Sequence, residues 1–210
     1  MNNEKDAIYT LLRDAYFGDG QFESGGALVK HARESAENYA KRRRLAYYLN
    51  YTGPIINASV DPIFRNEIAR EYNDTAKFKM FLDDADRTGA DLQNYIRRMA
   101  VAAKLYGVVY IVVNNEASIG ATVQDNLDVR ALPYLTAVLP QSVTHWKFDE
   151  RGRLVEFTYK DTVQDAEDKT RTRFYLWTAQ EWQVQDENQQ TIAQGYNNIG
   201  RVPVVQWFGR

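Results

Sequence analysis

Apolar residues recur at intervals of three and four over the first half of the chain and then alternate with polar ones over most of the second. Ile8, Leu11, Leu12 and Ala15 predict an amphipathic helix from about Glu4 to Tyr16, stopped by Gly18-Asp19-Gly20 and followed by a Gly-rich connection to Gly26. A second helix is predicted from Ser35 to Leu49, with Ala36, Tyr39, Ala40, Ala46 and Tyr47 on its stripe and Leu45, Tyr48 and Leu49 widening it. Gly53-Pro54 breaks it. Proline suits the first turn of a new helix, so a short third helix is predicted from Pro54 to about Val60, ended by Asp61-Pro62. Phe78, Met80, Phe81 and Leu82 make an apolar patch whose element type the pattern leaves open.

The strongest helical signal spans about Ala90 to Tyr106. Leu92, Tyr95, Ile96, Met99, Ala102, Ala103 and Tyr106 fall on one stripe, Thr88 is placed to cap it, and Gly107 stops it. Val108–Val113 then reads as a buried strand. Strands are predicted at Val143–Phe148, Leu154–Tyr159, Thr172–Trp177, Glu181–Gln185, Thr191–Gln194 and Val202–Phe208, with Asp149-Glu150-Arg151-Gly152 as a hairpin loop. The fold class is α+β: N-terminal helices, then a mostly antiparallel meander of about five or six strands or a small barrel. The helical region is 1–107 and the β-rich region 108–210, with 115–128 as a linker candidate; the two regions can also form one continuous domain.

Composition narrows the function classes. The 210 residues can bury a real core, and 44% hydrophobic with 26% charged is ordinary for a globular domain. With no cysteine, disulfides and thiolate-bound metals are excluded. The charged, amphipathic N-terminus is not a signal peptide, and no apolar run approaches membrane-spanning length, so no membrane partner is expected. Twenty-six basic residues against 28 acidic ones leave a net charge of −2, which argues against a tight DNA binder but not against a conduit through which DNA slides.

No arrangement singles out catalysis. His31 and His145 lack a second histidine at ligand spacing and read as surface or structural residues. Asp84-x-Asp86-x-Thr88-Gly89 opens like a calcium loop, but Tyr95 stands where a bidentate glutamate is required; the acidic residues read instead as charges near a helix N-terminus. Gly18-x-Gly20 and Gly25-Gly26 follow no strand and precede no Lys-Ser or Lys-Thr, which a phosphate loop needs. Lys41-Arg42-Arg43-Arg44 point in four directions on a helix and make no single basic face. Arg43 falls beside the apolar stripe, so a carboxylate partner or a subunit contact is expected for it, while the run as a whole reads first as solvated charges on a helix flank, next as interface pairing and least as a DNA contact. Most of the four tryptophans, all in predicted strands, are explained by core packing, though the fourteen tyrosines also suit interfaces. No cofactor or metal is expected.

A set of motifs carries a family resemblance. Tyr39-x-x-Arg42 on a helix ending Tyr47-Tyr48-Leu49-Asn50, an apolar segment closing on Ile63-Phe64-Arg65, Asp86-Arg87-Thr88-Gly89 with Leu92, Tyr95 and Arg98, and Leu105-Tyr106-Gly107 before Val108–Val113 occur in that order. Pro140-Gln141-Ser142-Val143 with Trp146 and Asp149-x-x-Gly152, then Asn198-Ile199-Gly200-Arg201-Val202-Pro203-Val204-Val205, continue the series. Together they resemble the N-terminal wing part of the portal proteins of tailed bacteriophages. The resemblance implies a structural, non-enzymatic virion protein, made in the bacterial host cytoplasm and built into a dodecameric ring of copies of itself. It implies terminase motor, capsid and head-tail adaptor proteins as partners, and double-stranded DNA passing without sequence specificity. Stem, clip and crown are expected beyond residue 208, so the chain is expected to be a truncated portal.

Arg42, Arg43, Arg44 and Tyr47 are the candidate subunit-interface residues. The alternative function is a phage or bacterial α+β protein–protein interaction module that forms no ring. A small hydrolase with an unrecognised site is the third.

Overall fold

The computed structural model describes residues 3–23, 25–72, 76–115, 122, 125, 130–164 and 168–210. Among the described residues five helices, α1 (Asn3–Phe17), α2 (Ala36–Leu45), α3 (Thr52–Phe64), α4 (Ala76–Asp83) and α5 (Leu92–Tyr106), precede eight strands. The strands are β1 (Val108–Asn114), β2 (Tyr134–Val138), β3 (Val143–Phe148), β4 (Leu154–Gln164), β5 (Thr170–Thr178), β6 (Glu181–Gln185), β7 (Thr191–Tyr196) and β8 (Val204–Phe208). The fold is α+β with its helices N-terminal. Among the described residues the strands form two open antiparallel sheets rather than a closed barrel, in orders β2-β1-β8 and β3-β4-β5-β6-β7.

The helix α5 and strand β1 organise the core. Tyr95, Met99 and Ala103 on one face of α5 pack on Val109 and Ile111, which alternate to one side of β1. Tyr110 and Val112 point to the other side, against Phe157 and Tyr159 of β4. The small sheet is thus a middle layer between helices and the larger sheet. Gly107 makes the junction in the left-handed region (φ 84°), where glycine carries no Cβ penalty, and its N–H closes on the Ala103 carbonyl.

The last strand departs from the simple meander. After β7 the chain leaves the large sheet, and β8 pairs with β1, Ile111 opposite Val205 and Val109 opposite Trp207. Asn197, buried, holds that crossing. Its Nδ2 donates to the carbonyls of Thr178 and Arg201, both at 2.7 Å, its Oδ1 accepts from Ile199 N, and its own N–H donates to the Gln180 carbonyl. β2 is an element the sequence pattern did not predict; it supplies the other flank of β1, with Val138 across from Tyr110.

Other boundaries also differ from expectation. α2 stops at Leu45, and the chain runs extended from Ala46 (ψ 139°). α3 starts at Thr52 with Pro54 in its first turn, as expected, but continues through Pro62. That proline removes a donor only in the final turn, so its cost is confined to the end of the helix. The cap of α5 is Asp91, accepting from Asn94 N at 2.8 Å, while the Thr88 hydroxyl donates to the Asp86 carboxylate within the preceding loop. The apolar patch at Phe78–Leu82 belongs to α4. The linker candidate 115–128 lies outside the described residues except for 115, 122 and 125.

Candidate interaction surface

None of the ten residues of α2 is buried. Short helices are marginal in water unless caps or packing hold them, and here local bonds do so. Ser35 accepts from Asn38 N, Tyr39 donates its hydroxyl to the Leu28 carbonyl at 2.8 Å, and Arg42 forks onto Glu34 at 2.9 and 2.8 Å while also donating to the Val29 carbonyl. The Arg42 guanidinium holds the Glu34 carboxyl down at about 2, aided by the His31 N–H. Gly25, at φ +64°, sits against the end of α2: a Cβ there would lie 2.8 Å from the Arg43 carbonyl oxygen. The loop before α2 and the helix itself are therefore one clasped unit.

The four candidate interface residues divide. Arg42 is spent on Glu34 and Val29. Arg43 lies over the Tyr39 ring, 5.8 Å from its centroid, and makes no ion pair among the described residues. Arg44 is exposed, and Tyr47 is 80% exposed.

The segment after α2 holds a feature that the helical spacing concealed. From Leu45, the last residue of α2, to Tyr51, which already has helical φ and ψ, exposure alternates residue by residue. Tyr48 and Asn50 turn inward: the Tyr48 hydroxyl donates to the Ala15 carbonyl at 3.0 Å, and Asn50 donates to Tyr16 O at 2.7 Å and accepts from Gly53 N. Phe22 packs on Tyr48, their ring centroids 4.3 Å apart. Leu45, Tyr47, Leu49 and Tyr51 consequently point outward, each more than half exposed. Every residue but Asn50 in Leu45–Tyr51 is apolar or aromatic, so alternation of character could not reveal the alternation of direction. The inward hydrogen bonds alone create the outer row.

The acidic loop before α5 is consumed internally. Asp84 pairs with Arg130 and accepts from Gly89 N at 3.0 Å; Asp86 accepts from Thr88 N and pairs with Arg98. Burial pushes both carboxyls up, yet these bonds outweigh it and leave both below the usual range. Among the described residues no group of three His, Asp or Glu is placed to hold a metal ion. His31 and His145 are both on the surface, His145 Nε2 3.2 Å from Glu156. No helix among the described residues is long and apolar enough to cross a membrane.

No protein-family model matches the chain, and no curated protein matches it significantly.

Proposed function

We propose that this chain is the wing part of a portal-type structural subunit, whose work is mechanical: it assembles with copies of itself into a ring at a capsid vertex through which double-stranded DNA passes. The observation that carries the reading is the outward row Leu45, Tyr47, Leu49 and Tyr51, flanked by Arg43 and Arg44. An apolar row rimmed by cations suits a protein contact better than solvent. Terminase, capsid and head-tail adaptor proteins are the partners this reading entails.

Mass by light scattering over a concentration range, with negative-stain imaging of large species, tests it. Rings of about a dozen copies are the expected product. A mass held at 24.3 kDa throughout would favour the alternative, an interaction module that forms no ring.

A further inference from the structure

A cleft of about 460 Å³ that shares no lining residue with that row lies between the first turns of α1, the start of β1 and strands β3 and β4. A smaller one of about 190 Å³ shares Asp6, Tyr9, Gln141 and Lys160 with it and extends it toward Arg13. The combined space suits a small organic ligand.

Its walls make three separate demands on an occupant. The first is aromatic. Trp146 on the edge strand β3 stands across from Phe157, yet it is 47% exposed where Phe157 is fully buried. With Tyr9 also in the lining, it offers a face to a flat ring. The second is anionic. Lys5 and Lys160 both line the cleft, and among the described residues neither has an ion-pair partner; Asp6 on the same rim leaves the pair in excess by one charge. The third is a donor. Gln141 lines both parts of the cleft, and its Oε1 is buried without a hydrogen-bond partner. A buried unpaired acceptor is costly, and rotation of the amide into the cleft would bring it to a ligand N–H.

An acidic peptide supplies ring, charge and N–H only from separate residues, whereas one nucleotide carries them in a single unit. A nucleotide meets all three. We propose that this cleft binds a nucleoside monophosphate unit, its base stacked on Trp146, its phosphate between Lys5 and Lys160, and a base N–H donated to Gln141 Oε1. The unit is either a free nucleotide or one residue of a single strand. This site is independent of the ring reading.

Titration calorimetry with dAMP on the intact chain tests the assignment, with deoxyribose 5-phosphate and adenosine as half-ligands. The expected result is saturable binding to one site, weaker for either half-ligand, and weakened about tenfold by Trp146→Ala and by Lys160→Ala. Both side chains contact solvent, and unchanged melting of the variants separates lost binding from lost fold. A short oligo-deoxythymidine bound more tightly than dAMP, and equally sensitive to Trp146→Ala, identifies a single strand as the source; equal or weaker binding identifies the free nucleotide. No saturable binding of dAMP or the oligonucleotide up to about 1 mM, or binding that both substitutions leave unchanged, overturns the proposal.

Discussion

Gly195 stands directly across from Trp182 on the neighbouring strand, and the indole occupies the space a side chain at 195 would need. A Cβ built on Gly195 would lie 2.9 Å from three atoms of that ring. Trp182 in turn packs near Trp177, their centroids 6.3 Å apart, so it has little room to withdraw. Gly195→Ala should therefore lower stability by about 1–3 kcal/mol, as overpacking does, although glycine is ordinarily the weaker strand residue. Thermal melting of the variant checks this; an unchanged midpoint would mean that the indole moves freely.

Asn197 should be the most sensitive polar side chain in the β region. Asn197→Leu keeps the branched shape, though with more bulk, and leaves the carbonyls of Thr178 and Arg201 and the N–H of Ile199 without their partner. A loss of about 1–3 kcal/mol per stranded buried group is the scale. Because the bonds hold the exit of β7 toward β8, hydrogen exchange should rise first along Val204–Phe208.

Tyr95 presents the opposite case. It is 2% exposed, and its hydroxyl is buried with no hydrogen-bond partner. Burial pushes its pKa well above the ordinary phenol value, so it stays protonated. Removing the hydroxyl removes a desolvated group and no bond. Tyr95→Phe should be neutral or stabilising by about 1 kcal/mol in urea unfolding, whereas Tyr95→Ala should cost about 3–5 kcal/mol.

The clasp between Glu34 and Arg42 predicts a pH dependence. The Glu34 carboxyl is held at about 2 against an ordinary 4.5, so the folded form releases the proton more readily than the unfolded one. Its contribution is complete above pH 4.5 and is lost as pH falls from there through 2. Proteolytic nicking of the segment 27–34 should increase across that window before the core opens. Arg42→Ala should return the Glu34 titration toward 4.5, read by NMR, and loosen the same segment at neutral pH.

The outward row should matter to assembly and hardly at all to folding. Replacing Tyr47 and Leu49 together by serine removes apolar surface that touches solvent, 80% and 56% exposed. The melting temperature should stay within about 3 °C, since surface changes of this kind fall within about ±0.5 kcal/mol. The light-scattering mass should fall toward 24.3 kDa. A variant that assembles like the parent would move the subunit contact elsewhere on the surface.

Some of this was legible residue by residue. The stripe from Leu92 to Tyr106, the stop at Gly107 and the apolar run after it belong together in both the pattern and the fold, because each rests on interactions within a few residues. Gly152 likewise sits in its hairpin at φ +73°. β2 was not legible: Tyr134–Val138 is short, and it becomes a strand because β1 offers it an unpaired edge. The end of α2 was hidden for a related reason. Ser35–Leu49 has helical spacing throughout, and only the bonds from Tyr48 and Asn50 back to α1 pull the chain into extended form after Leu45.

The sequence by itself determined the class: helices first, antiparallel strands after, one strong helix–glycine–strand unit between them. Those features arise from periodicity and turn chemistry, which act over three or four residues. The tertiary structure alone decided that β8 returns to β1, that the sheets stay open, and that Leu45, Tyr47, Leu49 and Tyr51 face outward while Trp146 is left beside a cleft. Each of those depends on which distant groups satisfy buried polar atoms or cover an apolar face, and no local pattern encodes the partner.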